Sequence, residues 1–469
     1  MFNAERQRLL DSCRWSPGEG QLGYFEVWAD DCAAGSVADS FRTGFLDDDE
    51  VEQWLHQQRR FSRRAMFGEA ESTMRIRLLM CERVGWLPLG FAMSRSSFLA
   101  MQTAFRLSTE MLPALDANNG EKYSNLRFGA HNKNRPEFIA LTAKLPQMSQ
   151  LGNLGLAMSH HLETDTTVAF LHGWNMFCDR DYVTKEPIIP HAKSLHETMQ
   201  SATTTLWAHP LFLPIVLMRE HLSRAETFKR QLGANMTDIE KVLGVTNAAR
   251  LMRSGVDAFA KRMVQDEEKR LQITARLLTT AKNVVNILGV LEWDLQYAKF
   301  LGRVSGELGA IHGQMSPAAD AELRSIVDYL RCEALSLVSF VGAMKSKLDL
   351  QLTVLYNYIA QAENNLDRRN AANAGLDSTA MKTLAVVTMV FLPPPPGPQT
   401  IFSMSMFGWQ GASSTAGDTK RTVVPELWIY WAVSIPLTLV IVIGWRVWWH
   451  FQKSYYENKY SSVKTERNV

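Results

Sequence analysis

Residues 382–409 read KTLAVVTMVFLPPPPGPQTIFSMSMFGW. An apolar run that opens like a bilayer-crossing helix meets four consecutive prolines, then Gly397 and Pro398, before it resumes. One proline removes a single backbone hydrogen bond and kinks a helix. Four in a row force polyproline-like backbone, which is tolerated at membrane depth only where it lines water or is buried in protein. The surrounding sequence reads as membrane. Thr383 to Phe407 carries no charge and is long enough to cross ~30 Å of hydrocarbon if mostly helical. A second uncharged stretch, 427–445, lies between Trp428, Tyr430 and Trp431 on one side and Trp445, Trp448 and Trp449 on the other, the arrangement of an interfacial aromatic belt. Arg368, Arg369 and Lys382 precede the first stretch, and Arg446, His450, Lys453 and Lys459 follow the second, so both flanks read as cytoplasmic.

The expected plan of the C-terminal part is therefore a first transmembrane segment at 383–407, a short outer loop at 408–426, a second transmembrane helix at 427–451 and a cytosolic tail at 452–469. Upstream, Ile326, Leu330, Ala334, Leu337, Val341, Met344, Leu348, Leu352, Leu355, Ile359, Ala362 and Leu366 recur at steps of three and four. That spacing predicts one amphipathic stalk helix over 321–382, with a heptad-like, coiled-coil seam and a length of roughly 100 Å if helix runs on to about residue 391. Residues 211–320 read as a helical cytosolic region. Residues 1–210 read as an α/β domain with strands at 22–29, 73–80, 137–144 and 166–173, a helix opening on Asp47-Asp48-Asp49-Glu50, and a polar loop over 121–137. The fold class is thus an α+β cytosolic domain followed by a long stalk helix and two C-terminal transmembrane helices.

Composition narrows function less. Fifty Lys+Arg against 48 Asp+Glu leave a net charge of +2, which gives no nucleic-acid footprint. Five scattered cysteines without a CxxC pair predict a reduced protein with neither disulfide framework nor zinc site. The N-terminus lacks the apolar core of a secretory signal. The acidic run at 47–50 reads either as a regulatory cation site or, more simply, as a solvated helix start. His160, His161 and His172 lack a further ligand at regular spacing. No phosphate-binding glycine loop, GxSxG or HExxH appears in a supporting context, so no enzyme and no cofactor are expected.

With these parts in order, the sequence resembles the CorA family of divalent-cation, chiefly magnesium, transporters, in its divergent fungal form. The resemblance is carried by Met381-Lys382-Thr383-Leu384 at the stalk-to-membrane junction, Phe391-Leu392-Pro393 in the first segment and Pro425-Glu426-Leu427 before the second. It implies a homopentamer with the first segment lining a pore for Mg²⁺, gated by the cytosolic domain, with membrane lipid and divalent cations as partners. The family's Gly-Met-Asn mouth falls on Ser403-Met404-Ser405, beside Phe402, and only the methionine is kept. Met381 takes the place of the apolar gate, Asp367 that of the cytoplasmic acidic ring, and Glu426 that of the cation-attracting outer loop. Pro395 replaces a pore-lining polar residue. Those departures leave an alternative open: a non-conducting, membrane-anchored sensor or interaction protein with the same architecture.

Overall fold

The computed structural model describes residues 3–30, 41–62, 72–128, 136–180, 185, 187–243, 267–311 and 317–391, and shorter pieces at 435–436, 439–440, 442–451 and 454. Two compact units are present, Met1–Leu355 and Tyr356–Val469.

The first unit is built on a seven-stranded sheet of order β3-β2-β4-β9-β8-β7-β6. Its strands are β2 (Leu22–Asp30), β3 (Phe41–Leu46), β4 (Ser72–Glu82), β6 (Glu121–Phe128), β7 (Pro136–Lys144), β8 (Gly155–His161) and β9 (Thr166–Gly173). The pair β4–β9 is parallel and the other neighbours are antiparallel. A small parallel pair, β1 (Arg14–Trp15) with β5 (Gly90–Phe91), lies outside this sheet.

Alternation along the strands assigns each side chain to a face. Leu79, Cys81, Ala157 and Phe170 pack into one core with the short helices α1 (Asn3–Ser12), α2 (Val51–Leu55), α3 (Arg95–Ala104) and α4 (Met111–Asp116). Leu78, Leu156 and Leu171 point the other way, toward Leu195 and Met199 of α5 (His191–Gln200) and Leu213 and Val216 of α6 (Phe212–Leu243). Helices on both faces explain why strands such as GLAMSHH in β8 are buried nearly throughout.

Beyond the sheet, α6 packs with α7 (Glu267–Ile311) and the N-terminal part of α8 (Pro317–Phe391). His221 meets Asp294 at 2.8 Å and the Tyr297 hydroxyl donates to the Pro214 carbonyl at 3.3 Å, which sets α6 and α7 antiparallel. Arg219 meets Glu333 at 3.7 Å and Gln351 donates to Glu240 at 3.0 Å, which sets α8 parallel to α6. Leu330, Ala334, Leu337, Val341, Met344, Leu348 and Leu355 of the stalk seam are buried here. The expected coiled coil is thereby corrected: these apolar positions are covered within the chain's own first unit. Leu366, read as part of the same seam, is exposed. The unit boundary falls within α8.

The expected membrane part is also corrected. No helix among the described residues is long and apolar enough to cross a membrane. Helix α8 is described only to Phe391, two residues before the proline run, which contributes nine residues of the 383–407 stretch where a span needs about 20. The helical residues described in the second stretch run unbroken only over 442–451. Residues 392–434 lie outside the described residues. The two-span topology, the cytoplasmic placement of both termini around it, the pentameric pore with its lipid and cation partners, Mg²⁺ transport and the membrane-anchored sensor alternative all depended on those spans, and none is supported.

Two readings at smaller scale also change. The polar stretch from residue 121 forms edge strand β6, not a loop, paired with β7 along its length. The acidic run starts a 3₁₀ turn at Asp48–Glu50, where the Glu50 carboxylate accepts from Asp47 N at 3.2 Å and Asp48 accepts from Ser94 N at 2.8 Å. These acids satisfy backbone donors.

Candidate functional site

Of the residues singled out from sequence, Phe402, Ser403, Met404, Ser405 and Glu426 lie outside the described residues. Asp367 and Met381 lie on α8 and are exposed, Met381 by 72 %. His160 and His161 sit on β8 and have separate surroundings: His160 Nδ1 is 2.9 Å from the Thr167 hydroxyl, whereas His161 Nδ1 accepts from the backbone of Glu163 and Thr164. Among the described residues no group of three or more His, Cys, Asp or Glu could hold a metal ion.

The third histidine belongs to a different constellation. In the sheet register Lys144 of β7 lies opposite Gly155 of β8, Gly155 opposite His172 of β9, and His172 beside Cys81 of β4. Neighbours in such a row project from one face. Gly155 has no side chain, and the Lys144 stem runs across the space that one would fill. A Cβ at 155 would lie 3.0 Å from Lys144 Cδ and would overlap the end of Leu115. The row thus carries an ammonium into the interior, 1 % exposed, where Nζ donates to the Leu145 carbonyl at 2.7 Å and to Asn153 Oδ1.

Arg83 enters from the end of β4. Its backbone N–H donates to the Gly173 carbonyl at 2.8 Å, its Nη2 donates to the Trp86 carbonyl at 3.2 Å, and its guanidinium lies 5.8 Å from the Trp174 ring centre. The Trp86 ring meets the Trp174 ring at a tilt of 38°, with centroids 4.1 Å apart. Trp86 and Leu87 in this turn are 44 % and 73 % exposed. Next to it, the Glu82 carboxylate accepts from the backbone N–H groups of Met176 and Phe177 at 3.1 and 3.2 Å, which ties the segment after β9 to the end of β4.

Burial dominates the electrostatics. It lowers the Lys144 pKa to about 7, aided by the Arg83 charge and opposed by Asp116. It lowers His172 to about 3, again with Arg83 adding repulsion. Cys13 is pushed up to about 12 by burial and by Asp116. Glu82 is raised to about 7 by burial, against its backbone hydrogen bonds. His172 is consequently a neutral ring. Its Nε2 lies 2.9 Å from the Gly90 carbonyl, which only accepts, so Nε2 carries the proton and Nδ1 holds a lone pair. Three buried polar atoms in this cluster have no partner among the described residues: Arg83 Nε, Asn153 Nδ2 and His172 Nδ1. Orphaned polar atoms also occur elsewhere among the described residues, as at His221 Nε2 and Asp294 Oδ2; this cluster differs in that two buried cations, Arg83 and Lys144, stand beside them with no carboxylate among the described residues in ion-pair distance.

Two other buried carboxylates are matched inside the fold. Glu220 accepts from the Ser194 hydroxyl at 2.5 Å and from Arg224 at 2.8 Å, and lies 2.7 Å from His191. Glu26 meets Arg77 at 3.2 Å, and Arg77 also stacks on Trp54 at 4.1 Å. A gap between the sheet and α5–α6 is lined only by leucines, a valine and a methionine and offers nothing to orient a ligand. Sequence reasoning missed Arg83 and Lys144, because each stands at a strand end, where a basic residue ordinarily reads as solvated.

No protein-family model matches the sequence. A curated relative, Notoamide biosynthesis cluster protein M' of Aspergillus versicolor, is 39 % identical over 84 residues. That match spans 18 % of this chain and 17 % of the relative, less than a fifth of either. Among solved structures, the chain is similar to the full-length CmaX protein, at 11 % identity and a TM-score of 0.42, over 92 % of this chain and 98 % of that one. It is also similar to the CorA magnesium transporter of Methanocaldococcus jannaschii, at 10 % identity and a TM-score of 0.40, over 90 % and 97 %. Both TM-scores lie below 0.5, and no fold assignment or residue role is taken from either likeness.

Proposed function

We propose that this chain is a binding protein and not an enzyme, and that it takes up a small ligand at the sheet end bounded by Arg83, Lys144, Asn153 and His172. The reading is carried by the three orphaned polar atoms gathered behind the exposed Trp86–Leu87 turn. Leaving buried donors and acceptors unmet costs ~1–3 kcal/mol each, a cost that a ligand with complementary groups removes.

The same groups are poorly suited to chemistry. A general base works best with a pKa near the operating pH, and His172 at about 3 stays neutral. The Cys13 thiol, at about 12, is not a ready nucleophile, and burial raises Cys81 as well. Lys144 and Glu82, both at about 7, are the groups poised to exchange a proton near neutrality, and each is held by hydrogen bonds, Lys144 to the Leu145 carbonyl and Glu82 to the Met176 and Phe177 backbone.

A thermal-shift screen of the full chain against charged and neutral small metabolites tests the reading. At least one compound raises Tm by roughly 2 °C or more at saturation and is recovered unchanged. Conversion of the bound compound, or no stabilisation by any member of either class, overturns it.

A further inference from the structure

The sheet-end cluster also carries a charge imbalance. Arg83 and Lys144 are both buried, and the Arg83 charge acts on Lys144, yet neither has a carboxylate within ion-pair distance among the described residues. Asp116 is the one acid acting on both, and it acts through space. Buried charges ordinarily persist only when paired and hydrogen-bonded. The contrast with Glu220, which gathers His191, Ser194 and Arg224 around itself, shows how this fold treats a charge it means to satisfy internally.

The orphaned atoms add direction to the charge. Arg83 Nε and Asn153 Nδ2 are donors and need acceptor oxygens. His172 Nδ1 is an acceptor and needs a proton donor. A metal cation would take the His172 Nδ1 lone pair but would meet two positive groups and two N–H donors. A simple carboxylate or sulfate meets the donors and leaves His172 Nδ1 unmatched. An oxyanion that still carries a proton meets all three. The ligand must also be small, because the Lys144 stem and Leu115 already occupy the space over Gly155.

We propose that the ligand of this site is a small, protonated oxyanion of the hydrogen phosphate class, with Arg83, Lys144 and Asn153 on its oxygens and His172 Nδ1 accepting from its O–H. This assignment rests on the binding reading above. The Trp86 carbonyl, held by Arg83 Nη2, couples the exposed turn to the same guanidinium, so the turn acts as the cover of the site. Seating the anion favours the charged form of Lys144, and binding above neutral pH therefore takes up a proton.

Isothermal titration of the full chain with inorganic phosphate at pH 8, in two buffers of different ionisation enthalpy, tests this directly. The expected result is saturable one-to-one binding with net proton uptake, at least tenfold preference over sulfate, and loss of the uptake in Lys144→Met. Arg83→Lys, which removes the planar fork, weakens binding at least tenfold. Should a variant fail to fold, proton uptake and the phosphate-over-sulfate preference of the unaltered chain still decide the matter. Phosphate binding with no proton uptake, or with equal affinity for sulfate, overturns the assignment. So does the absence of phosphate binding. If a neutral compound binds instead, the binding reading stands without the oxyanion. If neither class binds, both fall.

Discussion

Lys144 and Glu82 lie at the same end of the sheet, and burial moves their pKa values toward neutrality from opposite sides. Lys144 falls to about 7 from 10.5, so between these values the unfolded chain binds more protons. The stability linked to Lys144 is therefore present at high pH and lost as pH falls through about 7. Glu82 rises to about 7 from 4.5, so there the folded chain binds more protons. Its contribution is present below 4.5 and lost as pH rises through about 7. Denaturant unfolding across pH 4.5–9.5 reads both. Lys144→Met removes an upward slope above pH 7, and Glu82→Gln removes a downward slope between 4.5 and 7, each on the order of a few kcal/mol across its window. Unchanged slopes in both variants contradict the burial described for these groups. Little of this was legible beforehand. The segment EFIALTAK reads correctly as a strand, but whether its terminal lysine points into water depends on Gly155 standing opposite, and register is a tertiary fact.

At the scale of elements, the sequence was most legible where period and burial coincide. Four strands were placed by their β-branched and aromatic runs, and the three-four spacing of α8 marked the residues that are buried from Leu330 to Leu355. Strand β6 was missed because an edge strand with a mostly half-exposed, polar sequence lacks the apolar alternation that identifies inner strands. The apolar stretch from 383 misled for a related reason. Composition satisfies the criterion for a span, whereas helix α8 is described only to Phe391 and no helix among the described residues is long and apolar enough to cross a membrane. The α8 seam makes a definite prediction. Leu330 is fully buried and Leu350 is 59 % exposed on the same helix. Leu330→Ala costs about 2–5 kcal/mol in chemical denaturation, and Leu350→Ala stays within about 0.5 kcal/mol. Equal losses contradict the burial pattern within the first unit.

For the whole molecule, the first unit has a sheet covered on both faces, with α6 passing from the sheet into contact with α7 and α8. Other buried ionic groups in it meet a partner of opposite charge, as at Glu26–Arg77 and Glu220–Arg224. The exception at Arg83, Lys144, Asn153 and His172 is the basis for reading the protein as a receptor for a small ligand. That idea has a spatial signature. Hydrogen–deuterium exchange of the full chain, with and without saturating phosphate, is the most direct measurement. Protection confined to 83–90, 144–155 and 172–177 is the predicted result, because those segments hold the cluster and its cover. Protection elsewhere, or none at a phosphate concentration that saturates binding, contradicts the account.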